Sequence, residues 1–297
     1  MILSLLLVIH PIQFSLSETK FVDAIPPKTQ DFAYIIPGDL QTYVYTDEEE
    51  YRKDYQRSYF AVTKKKGGWD CLRHYEIIAN GCIPYFLDLE HSHPNTMRFL
   101  PKELILEAMQ LDGVSYLNID HSRFDEAKYF ELLEKIMAHA RKYLTSKNMA
   151  AYLLETMHYS GKGKVLYLSN DVGPDYLRCT TLIGLKELLG DRVVDVPKID
   201  HIYQGYEGDL KQLAGKGFSY TRIIEDLPLD RDNIEARILA KEFELVIYGS
   251  VHRGIRHRYP VLRCFSTDKI AYLCGEDDHR CKYTYFHNLF LREFESL

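Results

Sequence analysis

The chain has 297 residues, 46% of them hydrophobic and 27% charged, which is enough to bury the core of two domains or of one large α/β domain. Its 37 basic and 43 acidic residues leave a formal charge of −6 at pH 7, and this balance argues against a general nucleic-acid binder, which is usually basic. With 17 glycines, 11 prolines and no low-complexity tract, the composition excludes a disordered or fibrous protein.

The apolar N-terminus, residues 1–9, has two interpretations. It could be the hydrophobic region of a secretory signal, although no basic residue precedes it and no small-residue cleavage site follows it. It is too short to span a bilayer, which takes about 20 apolar residues. We favour a buried strand or an edge of the core, and therefore a cytoplasmic protein without a transmembrane span; a secretory location is the alternative.

The six cysteines are scattered along the chain, and none of them forms a Cys-x-x-Cys pair. In a chain of this length, such cysteines are typical of buried thiols in a reducing compartment. We therefore predict no structural zinc site.

The first half of the chain is predicted to alternate strands with helices. Turn residues at 26–27 and 37–39 divide residues 1–46 into strands and loops, and Asp47 suits the start of a helix with an acidic first turn. The elements that follow are a strand at 58–62, a basic glycine-containing turn at 63–68, a helix at 69–79, a buried strand at 82–87, a helix at 101–111 and a largely helical stretch at 125–158.

The alternation begins again after a Gly-Lys-Gly turn at 161–163. The predicted elements are a buried strand at 164–168, a helix at 175–189, a strand at 193–196, a helix at 232–242 and strands at 245–248 and 269–274. Strands that alternate with helices indicate βαβ units and a parallel sheet, so we predict an α/β fold. We place a domain boundary near residue 160, between halves 1–160 and 161–297 that are joined by the long helix.

The stretch from residue 64 to residue 84 carries the strongest chemical pattern. Glycines before a helix let backbone N–H groups approach a ligand closely, and the helix N-terminus adds partial positive charge. With Arg73 in the first turn, this arrangement suits a diphosphate, and Glu76 on the same helix face suits a ribose diol. The candidate donor-binding residues are Lys64, Lys65, Lys66, Gly67, Gly68, Arg73 and Glu76.

The alternative for this stretch is purely structural. Three consecutive lysines are commonly a solvated loop. Arg73 and Glu76 would then form a surface ion pair worth about 0.3–0.5 kcal/mol.

A glycine turn, an Arg-x-x-Glu helix and the run Ala-x-Gly-Cys-Ile-Pro follow one another between residues 58 and 89. This stretch resembles the nucleotide-sugar signature of GT-B glycosyltransferases, especially the exostosin-like group. The resemblance implies two Rossmann-like domains facing a cleft, with Arg73 on the donor diphosphate and Glu76 on the nucleotide ribose. In that family the donor half is C-terminal, whereas here it comes first. The matching residues are Gly68, Arg73, Glu76, Ala79, Gly81, Cys82, Ile83 and Pro84.

Further candidates follow the predicted strands of the second half. Ligands of parallel sheets bind beyond the carboxyl ends of the strands, so residues in these positions are expected to face the cleft on the acceptor side. They are Asp171 and Arg178 after the strand at 164–168, His252 and Arg253 after the strand at 245–248, and Glu276 and Asp277 after the strand at 269–274.

Two of these residues are candidates for the catalytic base. Histidine titrates near neutral pH, so His252 could remove the proton of a sugar hydroxyl, and a carboxylate near Asp277 could do the same. Both residues also have structural interpretations as loop residues. For the loop before 175–189, the alternative is that Asp175 caps the helix and Arg178 is an exposed helix residue.

The function that these patterns favour is a glycosyltransferase that moves a sugar from a nucleoside diphosphate to a hydroxyl acceptor, such as a glycan or glycoprotein. By resemblance it needs no metal and no cofactor beyond the nucleotide-sugar donor. One alternative is a dinucleotide-dependent oxidoreductase or a methyltransferase. The sequence argues against it, because neither half shows G-x-G-x-x-G after its first strand. Another is a non-catalytic protein that binds a nucleotide or a partner, for which the 23 tyrosines provide amphipathic rings.

Overall fold

The computed structural model describes residues 7–278, 280–281 and 287–295. Its strands are β1 (Val8–Pro11), β2 (Gln30–Phe32), β3 (Ser58–Thr63), β4 (Ile83–Phe86), β5 (Val114–Ser115), β6 (Asn118–Ile119), β7 (Lys164–Leu168), β8 (Val193–Val196), β9 (Phe243–Tyr248), β10 (Ile270–Cys274) and β11 (Asn288–Leu291). Its helices are α1 (Glu48–Gln56), α2 (Leu72–Ala79), α3 (Lys102–Met109), α4 (Glu126–Tyr143), α5 (Ser146–Thr156), α6 (Tyr176–Leu189), α7 (Ile234–Leu239) and α8 (Arg258–Cys264).

Two parallel sheets organise these elements. The larger sheet has the strand order β1-β11-β10-β9-β7-β8, and the smaller has the order β2-β3-β4. All strand pairings within both sheets are parallel, and a short antiparallel pair, β5 with β6, lies apart from them. The α/β class and the parallel sheet predicted from the sequence are therefore confirmed.

Helices cover both faces of the larger sheet, which explains why its central strands read as continuous apolar runs. On one face, alternate residues such as Val165 and Ile247 join the cluster that contains the apolar residues of α5 and α6. On the other face, Leu166 and Val246 join the cluster that contains residues of α7 and α8. A strand buried on both sides needs no polar alternation, and this is the pattern of β7 and β9.

The helical stretch predicted at 125–158 is two helices, α4 and α5, and not one long connecting helix. The break falls at Leu144 and Thr145, where backbone bonds from Leu16 enter the junction: Leu16 N–H donates to the Leu144 carbonyl at 3.2 Å, and Ser146 N–H donates to the Leu16 carbonyl at 2.7 Å. The hydroxyl of Thr145 then caps α5 by accepting from the Asn148 N–H at 3.3 Å. A distant segment thus replaces the helical bonds that local sequence favours.

The N-terminal segment also alters the two-half division. β1 is an edge strand that pairs with β11, so a strand from the start of the chain belongs to the larger sheet, whose other strands all follow residue 160. The boundary near residue 160 stays a prediction. The prediction for the apolar N-terminus was a buried strand or an edge of the core. Val8 and Ile9 lie in the edge strand β1, but both side chains are exposed, and residues 1–6 lie outside the described residues. Within the described part of the chain, no helix has the length and apolar character needed to cross a membrane.

Candidate active site

A cavity of about 890 Å³ opens where the carboxyl ends of strands from both sheets meet. Its walls are formed by the segments that follow β3, β7, β9 and β10, together with the stretches 43–51 and 213–218. Residues at these positions face each other because parallel strands present their carboxyl ends at one edge. Of the residues predicted from the sequence, the cavity is lined by Lys66, Gly67, Gly68, Arg73, Glu76, His252, Arg253, Glu276 and Asp277.

Arg73 and Lys66 form a basic corner of this cavity around the phenol of Tyr43. Arg73 is only 9% exposed, and its Nη1 donates to the Tyr43 hydroxyl at 3.3 Å, while the buried Nε has no hydrogen-bond partner. Lys66 Nζ donates to the same hydroxyl at 3.1 Å. Across the described residues, the ion pairs include neither cation. A buried guanidinium without a carboxylate partner is a site that an anion would complete.

The N-terminus of α2 adds to this corner. Cys71 occupies the N-cap position without a side-chain hydrogen bond, so the first N–H groups of the helix have no side-chain cap there. Cys71 and Leu72 line the cavity beside Arg73. Helix N–H groups and two cations thus point to the same kind of ligand, an anion of phosphate type.

The electrostatics of the corner are visible at Tyr43. Burial alone raises the pKa of this phenol, but the hydrogen bonds and charges of Arg73 and Lys66 outweigh burial and lower the Tyr43 pKa below its ordinary value. Both cations also lie over the ring, Arg73 at 5.1 Å and Lys66 at 5.4 Å from its centroid. Tyr43 therefore holds both cations in position at the cavity wall.

Glu76 lies inside the cavity wall and not on the surface. It is 6% exposed and accepts hydrogen bonds from the Tyr51 hydroxyl at 2.5 Å and the Ser219 hydroxyl at 2.6 Å. Burial raises its pKa. The alternative of a surface Arg73–Glu76 ion pair is wrong, because both side chains are buried and face different partners. The ribose contact stays a prediction, since both carboxylate oxygens already accept protein hydroxyl groups.

The three lysines of the glycine-containing turn separate in the structure. Only Lys66 lines the main cavity; Lys65 lies over the Trp69 ring at 5.3 Å and lines a neighbouring pocket of about 330 Å³. Lys64 lies instead beside Gly38. The donor-binding role predicted for all three therefore has geometric support at Lys66 alone.

The two glycines of the turn serve the contact between the sheets. A Cβ atom on Gly67 would overlap the Asp277 carboxylate, and one on Gly68 would overlap the carboxylate of Glu293. The absence of a side chain thus brings the loop after β3 against the loops after β10 and β11. This close approach, rather than a ligand, is what the structure shows the glycines to permit.

His252 is held by protein partners at both ring nitrogens. Its Nε2 lies 3.1 Å from the Asp175 carboxylate, and its Nδ1 accepts the Gly275 N–H at 3.3 Å. Arg253 Nε donates to the same Asp175 carboxylate at 3.0 Å. Burial opposes ionisation of Asp175, but the hydrogen bond from His252 and the charge of Arg178 lower its pKa below the ordinary value. The neutral tautomer with its proton on Nε2 fits these contacts: Nε2–H donates to Asp175, and Nδ1 accepts the backbone N–H of Gly275.

Asp171 and Arg178 do not line the cavity, contrary to the prediction. Arg178 is fully buried, which also contradicts the alternative of an exposed helix residue. Its Nη1 donates to the Asp171 carboxylate at 3.1 Å and to the Ser250 hydroxyl at 3.2 Å. Asp175 caps α6 as the alternative expected, accepting the Arg178 N–H at 3.1 Å. Arg178 therefore joins the loop after β7 to the loop after β9.

A buried cluster around Arg292 was missed by the sequence analysis. The Arg292 guanidinium is fully buried and donates to the Asp70 carbonyl, to Glu293 at 3.0 Å and to the exposed carboxylate of Asp277. Burial raises the pKa of Glu293 to about 7. Arg292 and Glu293 directly follow β11. His252 was predicted because residues after the carboxyl end of a parallel strand face the cleft, and a prediction of β11 would have identified Arg292 and Glu293 in the same way. His279, two residues after Asp277, lies outside the described residues.

The wall at 213–218 was also missed. Gly215 and Lys216 both have φ of +57°, and Ser219, which donates to Glu76, has φ of +70°. Left-handed conformations at two residues with side chains are uncommon and concentrate at functional sites. No helix or strand is predicted from the sequence between residues 196 and 232, and turn residues there, such as Gly205 and Gly215, indicate a loop without saying what it covers.

Chemically, the arrangement combines a basic corner, an aromatic wall that includes Tyr45, Tyr51 and Phe218, and carboxylates at Glu276 and Asp277. Among the described residues, no group of three or more His, Cys, Asp or Glu side chains is placed to hold a metal ion. Comparison with protein-family models, curated proteins and solved structures finds no match for the chain.

Proposed function

We propose that the chain is a glycosyltransferase that binds a nucleoside-diphosphate sugar in this cavity and transfers the sugar to a hydroxyl acceptor. The observation that carries the proposal is Arg73, a buried guanidinium with an unpartnered Nε and no carboxylate partner among the described residues. Together with Lys66 and the N-terminus of α2, it supplies the donors that a diphosphate requires. The resemblance of residues 58–89 to the nucleotide-sugar signature points to the same group.

The size and lining of the cavity support this class of ligand. A volume of about 890 Å³ is within the range of small-molecule sites, roughly 300–1,000 Å³. Tyr45, Tyr51 and Phe218 provide ring surface for a base or a sugar beside the basic corner. In this proposal, the two sheets with their helices act as two Rossmann-like domains facing a cleft, with the donor half first in the chain.

In the transfer, the bond between the sugar and the diphosphate breaks and a bond to the acceptor oxygen forms. Negative charge grows on the departing diphosphate, where Arg73, Lys66 and the helix N–H groups stabilise it. The acceptor proton passes to a carboxylate. We assign this role to Asp277, because its side chain is 63% exposed, lines the cavity and is held by Arg292. His252 is the weaker candidate, since its Nδ1 already accepts a backbone N–H.

Thermal unfolding with a panel of nucleoside diphosphates and their sugar conjugates tests the proposal. A ligand at about 100 times its Kd adds about 2.7 kcal/mol of stability, which is a readily measured shift in Tm. Release of nucleoside diphosphate on addition of a polyol acceptor then tests transfer, with Asp277→Asn as the variant expected to bind donor without turnover. No shift with any nucleotide overturns the proposal, and a shift only with nicotinamide dinucleotides or S-adenosylmethionine supports the oxidoreductase or methyltransferase alternative.

A second candidate is a protein that binds the same ligand without turnover. It is favoured by one observation: the ring nitrogens of His252 and the carboxylate oxygens of Glu76 are all occupied by protein partners. This candidate predicts the same Tm shift with nucleotides as the glycosyltransferase proposal. It differs in showing no release of nucleoside diphosphate with any acceptor, in the unmodified chain as in Asp277→Asn.

A further inference from the structure

The surface after β9 carries a concentration of positive charge in an acidic chain. Between Glu244 and Asp268 the sequence contains no acidic residue, and within residues 253–263 it contains four arginines and no lysine. All four arginines are exposed: Arg253, Arg256, Arg258 and Arg263. Arg253 bonds to Asp175 at the cavity, whereas Arg256 and Arg263 take no part in the ion pairs of the described residues. A local cationic surface therefore projects to solvent.

Apolar side chains lie among these arginines. Tyr259 is 92% exposed and Leu262 is 48% exposed. They stand three residues apart on α8, so they share one helix face. Val261 on the same helix is buried, and it fixes α8 against the body of the protein. The neighbouring helix α7 exposes Leu239 at 47%. Large apolar groups that extend into water beside cations are typical of a surface that meets a partner.

We propose that this arginine-rich surface, formed by Arg256, Arg258, Tyr259, Leu262 and Arg263, docks on a bilayer that contains anionic phospholipid. Its charge is complementary to phosphate headgroups, and the guanidinium fork binds phosphate through paired hydrogen bonds. Tyr259 and Leu262 would enter the boundary between headgroups and acyl chains, where an aromatic ring with a hydroxyl is favoured. The surface is distinct from the basic corner at Arg73.

The apolar side chains favour a membrane over other polyanions. Duplex DNA or polyglutamate would pair with the arginines but has no apolar side chain to receive Leu262. A bilayer receives both kinds of side chain at one depth, because its headgroups and acyl chains are adjacent. Arg253 lies at the inner end of the segment and lines the cavity, so docking would bring the cavity mouth beside the headgroups. The proposal is independent of what the cavity binds.

Co-sedimentation of the full chain with lipid vesicles tests the surface. The probe vesicles contain about three parts phosphatidylcholine to one of phosphatidylserine, and vesicles of phosphatidylcholine alone are the reference. At roughly 0.1 M salt we expect binding to the anionic vesicles alone, and weaker binding at higher salt because of screening. Each arginine near an anionic surface contributes about 1 kcal/mol, so R256Q/R263Q is expected to bind roughly 30-fold more weakly.

A matched control changes the same charge on another helix. Lys135 and Lys142 are exposed on α4, which packs near the smaller sheet, and K135Q/K142Q is expected to bind vesicles like the unmodified chain. Tyr259→Ser tests the apolar contribution and is expected to weaken binding while leaving the salt dependence intact. Far-ultraviolet circular dichroism and Tm confirm that each variant is folded.

Three results would overturn the proposal. The first is equal binding to neutral and anionic vesicles. The second is unchanged binding by R256Q/R263Q, or an equal loss in K135Q/K142Q. The third is binding to duplex DNA or polyglutamate that R256Q/R263Q abolishes, with no binding to anionic vesicles, which would assign the surface to another polyanion.

Discussion

Replacing Arg73 by methionine tests whether this residue binds a ligand or stabilises the fold. Methionine keeps most of the volume of the stem and removes the charge. In the structure Arg73 is 9% exposed, and among the described residues its guanidinium makes one hydrogen bond to another side chain, that to Tyr43 at 3.3 Å. Because the donor is charged, losing that bond costs about 1.5–3 kcal/mol, whereas removing a buried charge that forms no ion pair with a described carboxylate returns several kcal/mol of desolvation free energy.

We therefore expect Arg73→Met to unfold in urea with a free energy within about 1 kcal/mol of the unmodified chain, or higher. The affinity for the ligand, in contrast to the stability, should fall. A hydrogen bond to a charged group contributes about 1.5–3 kcal/mol, so affinity for a nucleoside diphosphate should fall roughly 10- to 150-fold. At a fixed concentration of nucleotide, the Tm shift would largely disappear.

Arg231 provides the contrast, because it is a paired arginine of similar chemistry. Its Nη2 donates to Asp195 at 2.9 Å, and Asp195 is fully buried with Lys186 at 3.2 Å as its second cation. Arg231→Met should lower the free energy of unfolding by about 2 kcal/mol or more, since it leaves a buried carboxylate short of a partner, and should leave the nucleotide shift intact. The reasoning fails if Arg73→Met is destabilised as much as Arg231→Met, or if it keeps the full nucleotide shift.

Three further predictions concern the contact between the sheets and the basic corner. Gly68→Ala should lower the free energy of unfolding in urea by about 1–3 kcal/mol, because the new Cβ atom would overlap the Glu293 carboxylate. Gly173→Ala is the control and should change the stability little, because its Cβ atom would make only ordinary contacts. Equal losses in the two variants would contradict this reasoning. Burial holds the pKa of Glu293 at about 7 against 4.5 for a free side chain, so the folded state keeps a proton that the unfolded chain releases. Stability relative to Glu293→Gln should therefore fall by about 3 kcal/mol as pH rises through that window, and parallel pH profiles of the two proteins would refute it. Ultraviolet difference titration should show one tyrosine that ionises below the ordinary pKa of tyrosine. This early ionisation should be absent in Tyr43→Phe and suppressed by bound diphosphate. If the unmodified chain and Tyr43→Phe begin to ionise at the same pH, the proposed effect of Arg73 and Lys66 on Tyr43 is refuted.

Local patterns were enough to predict the elements around the basic corner. The run Ser58–Thr63 is apolar enough to be buried on both faces, and the residues after it contain the glycines and the helix start. The structure begins α2 at Leu72, three residues later than predicted. Asp70 precedes the helix and does not cap it, because its carboxylate accepts the Phe14 N–H at 2.8 Å and the Tyr75 hydroxyl at 2.6 Å.

Strand order explains why residues that are far apart in sequence line one cavity. Arg73, His252 and Asp277 each follow a parallel strand, and the carboxyl ends of parallel strands share an edge. The rule requires only the strand positions, which the apolar runs supply. It says nothing of which side chains near that edge are already occupied, and Arg178, buried under the loops, was misjudged for that reason.

What the sequence by itself determined is the α/β class, the parallel strands, and the gathering of basic and acidic residues at their carboxyl ends. These follow from periodicity and turn chemistry, which act over a few residues. The tertiary structure alone decided that β1 joins β11 and that Leu16 splits the long helix. It also decided that Arg73 is buried with no carboxylate partner in the described part of the chain, while three carboxylates surround Arg292. Pairing, burial and charge compensation depend on groups that lie up to nearly the whole chain apart, and no local pattern encodes them.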